Sequence, residues 1–361
     1  MSSCDRRFFL KSSLLCSLAL TLGSANGQSM RTPPDALQAA KGALPLEYEL
    51  VRLACRAANS HNAQAWLFHA EPGRISIRAD LSRRCAQVDP HDHHLWVSIG
   101  CATENIVQAA PGMGRKADVA VIGGDQPEVV ISLFDAAELG AAPLAKFIPL
   151  RQTTRCEYDG KPVSPAHLKT LEGAGAGRGV EARLVIDGAE RRVLETLILE
   201  ANAAQVGSTP FRRELKEWLR FNEADAKARG DGLFSACSGN PELPAWLGKI
   251  MFDWFFTASS ANETLARQLK TSSGFILLHS RENDIRQWID VGRSAQRLAL
   301  QITALGMKMA FVNQPLEVES FRPRLLSELN LSERHPDVLV RYGYAPSMPS
   351  SFRRPLATVI S

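Results

Sequence analysis

Arg151, Thr153 and Arg155 alternate along the segment Arg151-Gln152-Thr153-Thr154-Arg155. In an extended stretch alternate residues point the same way, so two guanidiniums and a hydroxyl share one face. Forked, charge-assisted donors of this kind suit a dianion such as a phosphate group. A second basic pair, Arg353 and Arg354, stands in the C-terminal tail. Far upstream, Ser60-His61-Asn62-Ala63-Gln64-Ala65-Trp66 closes a helix-like run and opens a strand-like one. Its small and amide residues leave little bulk in the way and offer many donors and acceptors, which suits a flat ligand with a polar edge. On spacing alone a capped turn accounts for the same residues, since Asn and Ser are ordinary helix-terminus residues. Arginine pairs, too, are commonly solvated on a surface.

The elements that must carry these residues follow from periodicity. Leu50, Leu53, Ala54 and Ala57 recur at helical spacing, and Trp66-Leu67-Phe68 and Ile75-Ser76-Ile77 read as strands joined by the turn Glu71-Pro72-Gly73. A helix runs from Leu95 to about Ala110, apolar through Leu95, Ile99, Ala102, Ile106 and Ala109, with Gly100 permitting close helix approach. A hairpin follows, from Arg115 to Ile122 and from Val129 to Leu133, through Gly123-Gly124-Asp125. The unit then returns. Setting Gly100 against Gly292 puts Ala102 on Ser294, Gly114 on Gly306 and Lys116 on Lys308, and two copies of one unit explain this economically.

In the second copy, a helix starts near Ser164-Pro165, with Pro at its first position. The strand from Arg183 to Ile186 and a helix from Arg192 to Asn202 follow, that helix being read as the counterpart of the one before Ser60. Then come a central strand from Gly274 to Leu278, the repeated helix from Ile285 to Leu305 and the strand from Met309 to Val312. After the turn Asn313-Gln314-Pro315, a helix from Pro323 to Leu329 and a strand from Val338 to Tyr344 complete it. The extra length of this copy is expected as an insertion at about 225–265, rich in Trp246, Phe252, Trp254, Phe255 and Phe256. Such a segment is too aromatic for a solvated loop and must pack, either as a lid over a ligand or as a helix that thickens the core.

At 361 residues, 45% hydrophobic and 22% charged, the chain has material for one large core or two fused ones. A net charge of +4 without a long Lys/Arg run excludes a nucleic-acid partner. Asp5-Arg6-Arg7-Phe8-Phe9-Leu10-Lys11, an apolar run from Leu14 to Leu22 and Ser24-Ala25-Asn26-Gly27 resemble a twin-arginine signal, which implies the twin-arginine export machinery as a partner and a periplasmic destination. The apolar run is too short for a stable membrane anchor, and small residues allow cleavage near Gly27. Cleavage removes Cys4 and Cys16 and leaves Cys55, Cys85, Cys101, Cys156 and Cys237, with no CxxC and so neither a zinc site nor a disulfide framework. His91-Asp92-His93-His94 is too nearly consecutive for metal ligation from one helix face and reads as the polar start of the next helix. The expected division is thus a signal over 1–27, a first repeat over 28–150 and a second over 151–361.

Ala58, Ser60, Asn62, Gln64 and Trp66 form Ala-x-Ser-x-Asn-x-Gln-x-Trp, which resembles the loop motif of the nitroreductase superfamily, flavin enzymes in which that loop lies against FMN. Arg151-x-Thr153-x-Arg155 is similar to the superfamily's Arg-x-Ser-x-Arg element, and Arg353 and Arg354 to the basic pair near its C-terminus. From Leu50 to Ile360 the chain resembles the twin-repeat, Acg-type branch, through Arg151-x-Thr-x-Arg-x-x-x-Asp159-Gly-x-Pro162-Val, Ala304-Leu-Gly-Met and Arg353-Arg-Pro-Leu. The resemblance implies an α+β, nitroreductase-like fold of two fused degenerate repeats that mimic the usual dimer. It implies FMN as cofactor, bound by Ser60, His61, Asn62, Gln64, Arg151, Gln152, Thr153, Arg155, Asn313, Gln314, Arg353 and Arg354. Asn313 and Gln314 sit where the superfamily places donors near flavin N5 and O4, and His61 either donates to flavin or substrate or only caps the helix.

One FMN per chain is expected, because the reciprocal pocket would need an Arg-x-Ser-x-Arg before Leu50 and an amide loop after Glu200, and neither is present. The function implied is flavin-mediated hydride or electron transfer from an unknown donor to a nitroaromatic, quinone-like or related small-molecule acceptor, with no obligatory catalytic side chain. Two other readings stand beside it. One is an FMN storage or sequestering protein with a closed lid and little turnover, and the other a membrane-associated electron carrier.

Overall fold

A computed structural model describes residues 44–124 and 126–361. The expected export signal over 1–27 lies outside the described residues.

The first half runs α1 (Leu46–Ala54), β1 (Trp66–Glu71), β2 (Arg74–Ala79), α2 (His93–Ala109), β3 (Arg115–Ile122) and β4 (Glu128–Asp135). Helix α1 buries Leu50, Val51 and Ala54 and carries Glu47 and Glu49 in its first turn, where the helix dipole favours acidic side chains. Its four strands form an antiparallel sheet in the order β1-β2-β4-β3. Along β3 burial alternates residue by residue, as expected of a strand with one face on the core.

The second half begins with α3 (Pro165–Gly175) and β5 (Val180–Val185). There follow α4 (Gly188–Gly207), α5 (Thr209–Trp218), α6 (Glu223–Arg229), α7 (Ala245–Phe255) and α8 (Ala258–Lys270). The half ends with β6 (Gly274–Ser280), α9 (Ile285–Ala304), β7 (Lys308–Phe311), α10 (Gln314–Glu317), α11 (Arg322–Glu328) and β8 (His335–Gly343). Its sheet has the order β5-β6-β8-β7, which is the first sheet's order with each strand replaced by its counterpart. Every residue of β6 is buried, because Ile276 and Leu278 enter the core shared by the halves while Phe275 and Leu277 enter a second core.

The two halves meet where α2 crosses α9. A Cβ on Gly100 would lie 2.0 Å from the Ile289 carbonyl oxygen, and one on Gly292 would lie 2.0 Å from the Val97 carbonyl oxygen. Residue i touching j while the counterpart of i touches the counterpart of j is the signature of a twofold interface, here inside one chain. The alignment of Gly100 with Gly292 thus becomes a point of contact on the pseudo-twofold axis. The halves are also stitched by the tail: Phe68 N donates to Val359 O at 2.7 Å and Ser361 N to Phe68 O at 2.8 Å, which covers the free edge of β1.

Three expectations are corrected. The counterpart of α1 is α3 rather than the helix expected from Arg192 to Asn202, since α3 packs on α9 and β5 as α1 packs on α2 and β1. The insertion consequently occupies residues 186–273, the whole path between β5 and β6, where the first half has only a tight turn. The expectation that its aromatic stretch must pack fails on one face of α7, where Trp246 is 66% and Trp254 72% exposed. The alternation that hides an apolar face is absent there: Trp246, Ile250 and Trp254 fall at fourfold spacing on the side away from Gly248, which packs on Phe221.

Candidate functional site

The loop between α1 and β1 is held in a backbone shape that few residues adopt. His61, Asn62 and Gln64 have φ of 48°, 54° and 54°, three left-handed non-glycine residues within four positions. Side chains impose this shape. The Asn59 side-chain oxygen accepts from Gln64 N at 2.9 Å. Asn62 Nδ2 donates to the carbonyls of Gly232 and Phe352 at 3.1 and 3.0 Å, and Gln64 Nε2 donates to Gly230 O at 2.9 Å. Gln64 Oε1 in turn accepts from Arg354 N at 3.0 Å. The amides of the sequence motif therefore clamp their own loop to the insertion and to the tail.

Above this loop lies a cavity of about 270 Å³. Ala58, Ser60 and His61 form one wall, and Val97, Ser98 and Cys101 on α2 the floor beside it. The second half supplies Arg155, Phe311, Asn313, Gln314 and Glu317. Val206, Phe211, Leu215, Leu233 and Phe256 of the insertion close it with an apolar roof. A lining that mixes amide and charged groups, among them Asn202 and Gln205 of the insertion, with aliphatic and aromatic surface suits a flat ring with a polar edge.

Several polar groups at this place have no partner among the described residues. Arg151 is buried, and while its Nη2 donates to Arg56 O at 2.9 Å, its Nε and Nη1 have no acceptor. His61 Nδ1 and Gln314 Oε1 are likewise buried without a partner. Burial lowers the Arg151 guanidinium to about 10 and His61 to about 4, the latter helped by the nearby Arg155 charge, so His61 is a neutral imidazole. Unsatisfied buried donors cost stability unless a ligand satisfies them. An anion reaching Arg151 Nε and Nη1 would do so. Arg353 stands next to Arg151, and burial followed by that neighbouring charge lowers it to about 9.

The expected site residues divide into two groups. Ser60, His61, Arg155, Asn313 and Gln314 line the cavity, and Arg151 lies beside its Cys101. The others sit outside the lining and serve the chain itself. Gln152 binds Met348 O at 2.6 Å and Ser350 Oγ at 3.0 Å, and Thr153 is held beside Met309 in a short strand bridge. Arg353 donates to Cys55 O at 2.8 Å and Asn62 Oδ1 at 2.6 Å, and Arg354 to Gln64 O at 3.2 Å and Thr358 O at 2.8 Å. Asn62 and Gln64 act as described above. The expectation that alternate residues from 151 to 155 share one face is met only in part, since Arg155 lines the cavity while Arg151 lies outside the lining, its Nη2 donating to Arg56 O. Cys101 Sγ donates to Gly292 O at 3.2 Å and burial pushes its thiol to about 12, which makes it a packed thiol.

Sequence reasoning missed His94, Asn202, Gln205 and Glu317, all in the cavity wall. Asn202 and Gln205 did leave a signal, as two polar positions on the buried stripe of α4 that otherwise holds Leu194, Leu197, Ile198 and Ala201. His94 was passed over with its neighbours: His91 pairs with the exposed Glu319 and His93 with Asp337, and only His94 turns to the cavity. Among the described residues no cluster of three His, Cys, Asp or Glu has metal-holding geometry.

Two like halves about a pseudo-twofold helix pair, with a cavity lined from both, define an α+β protein of two fused repeats. The chain is similar to "Putative NAD(P)H nitroreductase Rv3131" of Mycobacterium tuberculosis H37Rv, 24% identical over 323 residues that span 86% of this chain and 90% of that protein. It is also similar to "Putative NAD(P)H nitroreductase acg" of the same organism, 21% identical over 86% of this chain and 93% of that one. No protein-family model matches. Among solved structures, it aligns with the FMN-dependent nitroreductase NfnB of Mycobacterium smegmatis in complex with NADPH at 18% identity, covering 60% of this chain and 96% of that chain with a TM-score of 0.38. A "putative nitroreductase in complex with fmn" from Desulfovibrio desulfuricans aligns at 14% identity over 60% of this chain and 94% of that one, with a TM-score of 0.35.

Proposed function

We propose that the chain binds one FMN in this cavity and works as an FMN-dependent, nitroreductase-like oxidoreductase acting on nitroaromatic, quinone-like or related acceptors. The observation that carries the reading is the buried Arg151 with two unused donor nitrogens, next to a cavity that Arg155 enters from the second half. Similarity to proteins named as NAD(P)H nitroreductases supports the class of reaction and suggests a reduced pyridine nucleotide as donor. Arg151 and Arg155 would take the phosphate, and Ser60, His61, Asn313 and Gln314 would face the ring. Bound FMN supplies hydride transfer, and the protein contributes placement, the exclusion of water by the insertion's apolar roof, and neutral His61 as a donor or acceptor at its free Nδ1.

The twin-arginine signal and periplasmic location belong to this proposal as well: export in the folded state agrees with a cofactor inserted before transport. Among the described residues no helix is long and apolar enough to cross a membrane. The absorption spectrum of the purified protein tests the central step. A flavin profile with a ratio near one FMN per chain is expected, whereas protein that is colourless and takes up no added FMN overturns it.

A second reading, slow turnover with FMN held under a closed roof, is favoured by one feature. Asp231 in the insertion is clamped between Arg220, at 2.7 Å, and Arg83 of the first half, while Gly232 N donates to Asn62 O at 3.2 Å. Anaerobic stopped-flow reduction by NADPH separates the readings. Reduction that becomes fast only in Asp231→Ala supports sequestration, and fast reduction of the wild type removes it.

A further inference from the structure

Among the described residues Glu317 is the only acidic side chain in the cavity wall, and Arg155 the only lysine or arginine. Glu317 ends the single turn of α10. Its Oε2 accepts from Gln205 Nε2 of α4 at 2.8 Å, and its Oε1 lies 4.0 Å from His94 Nδ1 of α2. His94 Nε2 is 3.1 Å from the Asp337 backbone oxygen, which can only accept, and 3.5 Å from the Asn313 Nδ2 donor; the shorter contact favours the hydrogen on Nε2 and turns the Nδ1 lone pair toward Glu317. An ionised carboxylate facing a lone pair gains nothing. A carboxylic acid facing it has a hydrogen to point there.

The geometry points to Glu317 as the proton-donating catalytic acid of the cavity, its carboxyl held in place by the Gln205 amide. The inference rests on the flavin reading above and adds to it the group that protonates the acceptor. For a quinone-class acceptor receiving a hydride from the bound reduced flavin, the Glu317 O–H bond breaks as an O–H bond forms on the acceptor's carbonyl oxygen. The carboxylate left behind takes its proton back from water. The surroundings suit this role. Burial raises Glu317, and of the charged groups around it Asp89, from the loop before α2, pushes the same way. The His94 and Arg322 positions and the Gln205 hydrogen bond oppose it, and burial keeps His94 itself neutral. A neutral acid opposite an apolar roof also favours uncharged, planar acceptors.

The test has two arms. In apoprotein labelled with carboxyl-¹³C glutamate, the signal that is lost in Glu317→Gln or shifted in Glu317→Asp is expected to titrate later than the surface glutamates as pH rises; if that signal titrates with the bulk, the proposal fails. This arm needs no flavin, so it remains readable if the FMN assignment itself is wrong. In the second arm, reduced holoprotein is reoxidised by 1,4-benzoquinone, which needs a proton, and by ferricyanide, which needs none. Per bound FMN, Glu317→Gln is expected to slow the quinone reaction by roughly a hundredfold more than the ferricyanide reaction and to abolish its decline at alkaline pH. Equal slowing with both oxidants, or an unchanged quinone rate, overturns the role. Should the Glu317 variant fail to fold, the ¹³C titration and the wild-type contrast between quinone and ferricyanide pH profiles decide the question.

Discussion

The two sides of the pseudo-twofold axis started from one plan and now differ in what fills them. On the open side α2 offers Ser98 and Cys101 to the cavity. Their counterparts on α9 are Asp290 and Arg293, and the space there is closed by ions: Arg293 lies 3.2 Å from Glu104 and 3.7 Å from Asp290, and Asp290 lies 3.8 Å from Arg178. His94, which reaches Asn313 on the open side at 3.5 Å, is matched by Arg286, which donates to Val121 O at 2.7 Å. The loop holders diverge the same way. Neutral Gln296 and Asn105 bind each other at 2.7 Å and hold Ala58 N and Leu53 O, whereas Glu104 and Arg297 make a charged pair and Arg297 holds Ala174 O and Ala176 O. The loop after α3 bears no amide corresponding to Asn62 or Gln64. One pocket was retained with small and neutral groups that leave room, and the other was sealed by side chains that satisfy one another. That difference, more than the missing motif, is why one ligand per chain is expected.

The comparison can be broken most severely at its axis. Gly100→Leu and Gly292→Leu should be equally damaging and leave no folded protein in circular dichroism, because each puts a side chain where a backbone oxygen stands 2.0 Å from the first added carbon. Next comes the sealed side. Arg293→Ala removes the nearer of two guanidiniums on the buried Glu104, leaving Arg297 at 3.7 Å, and should lower unfolding free energy in urea by about 1.5–3 kcal/mol without changing FMN content. On the open side, Cys101→Arg introduces the sealed side's residue and should abolish FMN uptake. Arg151→Met should weaken FMN binding by roughly a hundredfold in a fluorescence titration. Because two guanidinium nitrogens of Arg151 are unpartnered without ligand, the same change should stabilise the apoprotein against heat.

The smallest effect is in pH dependence. His61 binds its proton near 4 when folded against about 6.5 when unfolded. The unfolded chain thus holds more protons in that window, and stability falls as pH drops through it. His61→Gln should reduce this loss by about 1.4 kcal/mol at pH 5.5 relative to wild type. His93, lowered to about 4 by burial, keeps the same trend in the variant, and Asp337, raised to about 7 by burial, opposes it in both. The difference between the two proteins isolates His61. Glu317→Gln should have the opposite sign. A carboxyl raised by burial makes the native state the better proton binder, so the wild type loses stability as pH rises through that window and the variant does not.

Much of the fold could be read from residue order because the signals were local. Turn chemistry at Pro72-Gly73 specified the β1/β2 hairpin, and Ser164-Pro165 specified the start of α3, where Ser164 Oγ accepts from His167 N at 3.3 Å. The correspondence of Gly100 with Gly292 was legible as well, as was the close helix approach that Gly100 permits; that the two glycines meet was not. The site was legible in type but not in role. Asn62, Gln64, Gln152 and Arg354 looked like ligand groups because polar side chains in a loop carry the same signature whether they bind a ligand or a distant carbonyl.

By itself the sequence determined the periodic elements, the doubling of the unit and the concentration of amides and guanidiniums in a few segments, all consequences of spacing along the chain. Only the tertiary structure decided that α3 rather than the later helix is the counterpart of α1, that Asn62 and Gln64 bind segments far away in sequence, and that His94 and Glu317 lie side by side in the cavity wall. Those are contacts between elements, set by how the helices and sheets pack, and no local pattern of residues encodes which donor will meet which acceptor there.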